Sequence, residues 1–278
     1  MHKKGCVVSP RSLTRDEITA VSARLSDRDL VVLKRVSDLR FVSGRQLTRL
    51  CFVDGSDPKA SARTSRRSLL RLTRLDLLAR LPRRVGGVRS GSAGFVYRLG
   101  IAGQRLAEVR GWQPERLRRR SLVPGSLFLE HTLLVAELHA RLTEAERSGR
   151  IELLELAAEP LCWRYYFGGF DGQRECLKPD SYVRLGIGPY EDSSFVEVDR
   201  GTIGSRTIEK QMAVYAAYHR TGLEQERTGV FPRVVWLAST AERTRTLNDC
   251  IEQQPSDERP LFVACKFEDA LHVLAGGG

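Results

Sequence analysis

The chain is 278 residues long and 41% hydrophobic, with 45 Lys and Arg against 34 Asp and Glu and a formal net charge of +11. That is enough apolar material for one large core or two ordinary ones, while no apolar run reaches the ~20 residues of a membrane span, so no membrane partner is expected. The first residues, Met1-His2-Lys3-Lys4-Gly5-Cys6-Val7-Val8, are basic without a long apolar stretch, which argues against a signal peptide; six scattered cysteines with no C-x-x-C pair suit reduced thiols and a cytoplasmic setting better than a disulfide frame, zinc knuckle or redox pair.

The charge is unevenly divided. Residues 1–125 hold 28 basic and 10 acidic side chains, a net of +18, and residues 126–278 hold 17 and 24, a net of −7. A split of this size predicts two domains with different partners, the first built for a polyanion. Arginine dominates that half, which favours bidentate contacts to phosphate or guanine.

After an N-terminal extension over residues 1–25, Ser26 is placed to cap a helix whose first turn carries Asp27 and Asp29, the residues a positive helix end prefers. Leu30, Leu33, Val36 and Leu39 form its apolar stripe. A second short helix is expected over 43–50, then a polar loop over 54–58. A third helix over 61–75 has Leu69, Leu70, Leu72 and Leu75 as its expected buried side and Arg63, Arg66, Arg67, Arg71 and Arg74 on its exposed positions. Two strands, 77–81 and 95–99, flank a glycine-rich basic tip carrying Arg83, Arg84 and Arg89, the pattern of a β-hairpin.

Three helices followed by such a hairpin make a winged helix-turn-helix over residues 26–102. Its third helix is expected in the major groove of double-stranded DNA, with the hairpin tip on the flanking backbone. The same elements also occur as protein-contact modules, and an arginine face also exists merely to be solvated. Residues 103–126 read as a basic linker: 104–109 extend a helix, Gly111-Trp112-Gln113-Pro114 breaks it, Arg116-Leu117-Arg118-Arg119-Arg120 is a basic run, and Pro124-Gly125 marks a boundary.

From residue 127 to 278 the pattern changes. Leu129, Leu133, Leu134, Leu138 and Leu142 give one long helix over 127–147. Extended segments follow at 151–157 and 161–167, then a turn at 168–172, and strands at 176–185 and 195–198 around a Gly/Pro loop. A helix at 205–219, a strand at 234–238, a helix at 241–253 and a strand at 261–264 complete the order. This mixture predicts an α+β or α/β domain, a central mixed sheet covered by helices.

Chemistry concentrates in two stretches, Lys178-Pro179-Asp180 and Phe195-Val196-Glu197-Val198-Asp199. Side chains alternate along a strand, so Glu197 and Asp199 share one face while Val196 and Val198 point into a core. A return strand is expected to bring Asp180 alongside. Three converging carboxylates are costly without a cation, and Mg²⁺ wants such oxygens. That makes Asp180, Glu197 and Asp199 candidate metal ligands of a phosphodiester site, or the remnant of one. Taken singly, Asp180 is an ordinary turn residue and the other two an ordinary solvated strand face. His131 reads as a ligand, an orienting residue or a helix histidine satisfied locally, and His139, His219 and His272 show no ligand spacing. The chain has no phosphate-binding P-loop, no G-x-G-x-x-G, no H-E-x-x-H and no nucleophile elbow, so ATPase, dehydrogenase, zinc-protease and serine-hydrolase readings have no support.

Asp180 after Pro179, the Glu197-x-Asp199 strand and the helix after it resemble the PD-(D/E)XK nuclease superfamily, and Gln211-x-x-x-Tyr215 is similar to an extra motif of its helicase-associated exonuclease branch. The resemblance implies Asp180 and Glu197 as Mg²⁺ ligands, Gln211 and Tyr215 as strand-orienting residues, and Glu130 as the additional acid many members carry on the first long helix. The family's lysine position is Asp199 here, which leaves Lys210 on the following helix as its substitute, or Asp199 as a third ligand. Over about residues 25 to 270 the chain also resembles the replication-relaxation family of mobile elements, through Leu129-Glu130-His131, Lys178-Pro179-Asp180 and Phe195-Val196-Glu197-Val198-Asp199-Arg200-Gly201-Thr202. That likeness implies a role in plasmid replication and relaxation beside replication or transfer proteins. Two readings stay open: a metal-dependent nickase or nuclease, or a transcription or replication regulator whose nuclease-like domain serves dimerisation or partner binding. A homodimer would read half-sites about one helical turn apart.

Overall fold

The computed structural model describes residues 14–53, 57–81, 94–112, 124–168 and 172–276. The chain divides into two compact units, Met1–Val123 and Pro124–Gly278.

In the first unit α1 (Arg15–Ser22), α2 (Asp27–Leu39), β1 (Val42–Ser43), α3 (Gly44–Cys51) and α4 (Pro58–Arg74) precede β2 (Leu78–Arg80), β3 (Val96–Leu99) and α5 (Ile101–Val109). The strands form a small antiparallel sheet in the order β1-β3-β2. The helix starts are written locally. Ser26 and Ser43 each accept from the amide three residues on, and Asp29 and Gln46 bond back to their amides, a reciprocal cap that satisfies donors the helix leaves open. Helix α4 begins earlier than its leucines suggest, because Asp57 caps it and Pro58 sits at its first position.

Asp29, 1% exposed, does more than cap. It also accepts from Ser68 at 2.9 Å and Arg71 at 2.5 Å, tying α4 to the start of α2. Burial works against its charge, but the Ser26 and Arg71 bonds win and its carboxyl titrates below the usual range. Arg71 is thereby committed to the fold, although it belongs to the expected DNA-binding set.

Three expectations for this unit change. Leu69 and Leu72 are buried but Leu70 and Leu75 are exposed; at 100° per residue the buried stripe of α4 runs through Ser65, Leu69 and Leu72, and Leu70 falls on the opposite side. Residues 103–112 are not linker. Helix α5 packs on α1, α2 and the sheet, and Gly103 lies so close to β2 that a Cβ there would stand 2.0 Å from the Leu77 carbonyl oxygen. Nor is 14–22 a free extension, since α1 buries Ile18 completely and packs on α5. The hairpin tip with Arg83, Arg84 and Arg89, and the run 116–120, lie outside the described residues.

The second unit opens with α6 (Ser126–Arg147), β4 (Glu152–Ala158), β5 (Arg164–Gly168), β6 (Gln173–Leu177), β7 (Ser181–Ile187) and β8 (Tyr190–Asp199). It continues with α7 (Ser205–Arg220), α8 (Leu223–Thr228), β9 (Arg233–Ala238), α9 (Ala241–Glu252), β10 (Phe262–Lys266) and α10 (Ala270–Leu274). Five strands form a mixed sheet in the order β10-β9-β8-β7-β4, parallel from β8 to β10 and antiparallel from β4 to β8. The α+β class expected from the sequence is the one observed.

The expected strand over 176–185 is two. Pro179 cannot donate to a ladder, and the break there leaves β6 paired with β5 in a separate hairpin while β7 joins the main sheet. Strand β8 is longer than expected, because Gly188, at φ +60°, lets a tight turn replace the Gly/Pro loop.

Phe195 and Tyr182 pack with Ile208, Met212, Tyr215, Trp236 and Leu247 on the face covered by α7 and α9. On the other face Ser181, paired with Val196, is bonded to His139 of α6 at 2.9 Å. Central strand β8 is therefore buried on both faces. Among the described residues no helix is long and apolar enough to cross a membrane.

Candidate functional site

Two constellations stand out, one in each unit. In the first, α4 places Arg63, Arg67, Arg71 and Arg74 at steps of three and four residues, with Arg66 beside Arg67, on the side away from its buried Ser65, Leu69 and Leu72; a helix turns such a spacing into one stripe. All five are exposed, and Arg63, Arg66 and Arg67 line an open concavity of about 480 Å³ with Ala60 and Thr64. Only Arg71 has its guanidinium in an ion pair with a buried acid.

In the second unit, Asp180, Glu197 and Asp199 do line one cleft, of about 240 Å³, with His131, Arg200 and Gln211 among its walls. The register explains the meeting: Asp180 directly precedes β7, and β7 pairs beside β8 with Ser181 opposite Val196. Its carboxylate accepts from the Val198 amide at 2.7 Å and from His131 Nε2 at 2.9 Å. A carboxylate offers only acceptors, so His131 holds its proton on Nε2. Burial alone would lower the imidazole's pKa, but the Asp180 bond and charge more than offset it and the net shift is upward.

Glu197 and Asp199 point to the same face, toward α7 and α9. Glu197, 8% exposed, accepts a short bond from the Tyr215 hydroxyl. Burial first, then the nearby Asp180 charge, pushes its carboxyl well above the ordinary range, against the smaller help of Tyr215. Tyr215 is likewise pushed up, by burial and by Glu197. Asp199, 6% exposed, is held by the guanidinium of Arg243 on α9 and by the Gly201 amide at 3.0 Å. Arg243 is fixed in turn by the Ile203 carbonyl at 2.8 Å.

The other expected residues separate. Lys210 is exposed and not part of the cleft; two residues beyond buried Ile208, it lies about 200° around the helix from it. Glu130 turns outward and pairs with Arg200, so α6 contributes His131 rather than Glu130. Gln211 lines the cleft with its Oε1 buried and unpartnered, and the Trp236 Nε1 in the same wall is unpartnered too. Arg243 escaped the sequence reading because nothing local marks a partner 44 residues away.

These observations bear on Mg²⁺. Among the described residues no group of three or more His, Cys, Asp or Glu is arranged to hold a metal ion. Asp199 is paired with the guanidinium of Arg243, Asp180 is hydrogen-bonded to His131, and burial raises the pKa of Glu197. The donor set as it stands does not fit a three-carboxylate metal centre.

The native pKa of Glu197 lies above the unfolded value of ~4.3, so between the two the native state holds the extra proton and stability falls as pH rises. Glu197→Gln keeps the acceptor for Tyr215 and removes the penalty. Its melting temperature should match wild type near pH 4 and exceed it by a few degrees at pH 8. A variant less stable than wild type at pH 8 would mean that a charged Glu197 is needed there.

A family model described as replication-relaxation matches residues 33–234. No curated protein and no solved structure matches the chain.

Proposed function

The chain belongs to the replication-relaxation family, and from that premise we propose that it binds double-stranded DNA of a plasmid or other mobile element through its first unit, while the second acts as a nuclease-like scaffold without hydrolysis. The observation that carries the first part is the arginine stripe of α4. A helix fits the major groove, and arginines there reach guanine edges and phosphates. Leu70, exposed within the same stripe, is of the apolar kind that meets a thymine methyl. The small sheet β1-β3-β2 packed with α3 and α4 supports reading the unit as a winged helix-turn-helix.

Arg66→Ala with Arg67→Ala should weaken duplex binding about 10- to 100-fold at moderate salt and flatten its salt dependence by about two units of slope. Unchanged affinity in a retardation assay would remove α4 from the interface.

The second part rests on the cleft. The order α6, β4, β7, β8, α7, β9 with acids on β8 and before β7 suits the PD-(D/E)XK scaffold, but the Arg243–Asp199 pair and the outward Lys210 favour a regulator over a nickase. Supercoiled plasmid with Mg²⁺ or Mn²⁺ should stay intact while retardation persists. Nicking that disappears in both Asp180→Ala and Glu197→Ala would establish the enzyme instead.

A further inference from the structure

The segment Arg164-Tyr165-Tyr166-Phe167 alternates in β5, and its two faces have different fates. Tyr166 and Leu177, which faces Arg164 from β6, are buried in the core, and Arg164 on that side bonds Glu224. On the outer face Tyr165 is exposed and Phe167 is 76% exposed, while Trp163, just before the strand, is partly buried against the core. Cations from β6 and the residue just after it lie by the aromatic rings of this segment. Lys178 Nζ lies 5.3 Å from the Trp163 ring centre and the Arg174 guanidinium carbon 4.6 Å from that of Tyr165. Arg174 is also the residue directly opposite Phe167. The acid of β6, Glu175, turns to the inner face and accepts from the Tyr166 hydroxyl at 3.2 Å.

We propose that this outer face of the β5–β6 hairpin is a stacking platform for single-stranded DNA. Aromatic rings interleaved with cations are what a single strand requires, the rings for bases and the cations for phosphates. The spacing agrees: side chains two apart along a strand stand about 6.6 Å apart, close to the ~7 Å that one planar base needs between two rings in van der Waals contact. In a half of the chain with a net charge of −7, this face carries Arg174 and Lys178 with Glu175 turned away from it. A partner protein chosen for exposed rings alone would gain nothing from cations laid over them. The proposal concerns residues other than the α4 stripe and stands without it.

The test uses the full chain and two labelled probes, an oligo-thymidine of about 20 nucleotides and a duplex of equal length, read by fluorescence anisotropy. Tyr165→Ala with Phe167→Ala should lower affinity for the single strand at least tenfold and leave duplex affinity and the melting temperature at wild-type values. Arg174→Glu should weaken single-strand binding and reduce its salt slope. Arg66→Ala with Arg67→Ala should do the reverse, losing duplex and keeping the single strand, so failure of one reading is separable from failure of the other. Unchanged oligo-thymidine affinity in the double aromatic variant would overturn the proposal. So would a change in oligomeric state of that variant with single-strand binding intact, which would identify the face as a contact between copies.

Discussion

Glu224→Ala is expected to destabilise the second unit by about 3–5 kcal/mol, the range for removing one partner of a buried ion pair. Glu224 is 0% exposed. It takes bonds from Arg164 on β5, Arg227 on α8 and the Tyr218 hydroxyl on α7, so one carboxylate closes three elements. Without it Arg164 keeps its guanidinium over the rings of Tyr182 and Phe195 but loses its counter-charge. Domains are stable by only ~5–15 kcal/mol, so the urea midpoint should fall by about a fifth or more. Burial opposes the charge of Glu224, but the arginine and tyrosine bonds prevail and its pKa is lowered. A carboxylate lowered on folding contributes stability above its unfolded value of ~4.3, lost as pH falls through the native value. The acid limb of the wild-type stability curve should therefore be shallower in Glu224→Gln. An unaltered midpoint in Glu224→Ala would show that the network carries no net stability. Since Arg164 anchors β5, the variant should also bind oligo-thymidine less well.

Arg243→Ala is expected to destabilise by a similar ~3–5 kcal/mol, because it strands the buried Asp199 carboxylate. The informative comparison is the double change. Asp199→Asn with Arg243→Ala removes both charges, so its loss should be well below the sum of the single losses, with a coupling of about 1–3 kcal/mol in a double-mutant cycle. Additive losses would mean that the two groups do not act as a pair. The same variants probe the cleft's chemistry. If Arg243 stands where a cation would otherwise be needed, Mg²⁺ should raise the melting temperature of Arg243→Ala and leave wild type unmoved. A wild-type protein stabilised by Mg²⁺ would instead return the metal reading to Asp180, Glu197 and Asp199.

The expected elements were most legible where local chemistry decides them. The cap at Ser26 and the alternation through Glu197 and Asp199 each depend on neighbours within four residues. Misreadings arose where a distant surface chose. Leu70 and Leu69 look alike in sequence, and only the packing of α4 selects Leu69. Helix α5 reads as a connector until Gly103 is seen against the Leu77 carbonyl. Lys210 and Gln211 are adjacent in the chain but about 100° apart around α7, and that rotation alone admits one to the cleft and leaves the other outside.

The sequence by itself determined the partition of charge, the arginine stripe, the α+β class and the identity of the three acids, because composition and period are properties of the chain alone. Tertiary structure decided what surrounds those acids. Asp180, Glu197 and Asp199 meet in one cleft as the register of β7 on β8 requires, but their hydrogen-bond partners are His131, Tyr215 and Arg243, which arrive from α6, α7 and α9. A carboxylate's charge depends on what surrounds it within a few ångströms, and no spacing along the chain encodes a neighbour that reaches it from another helix.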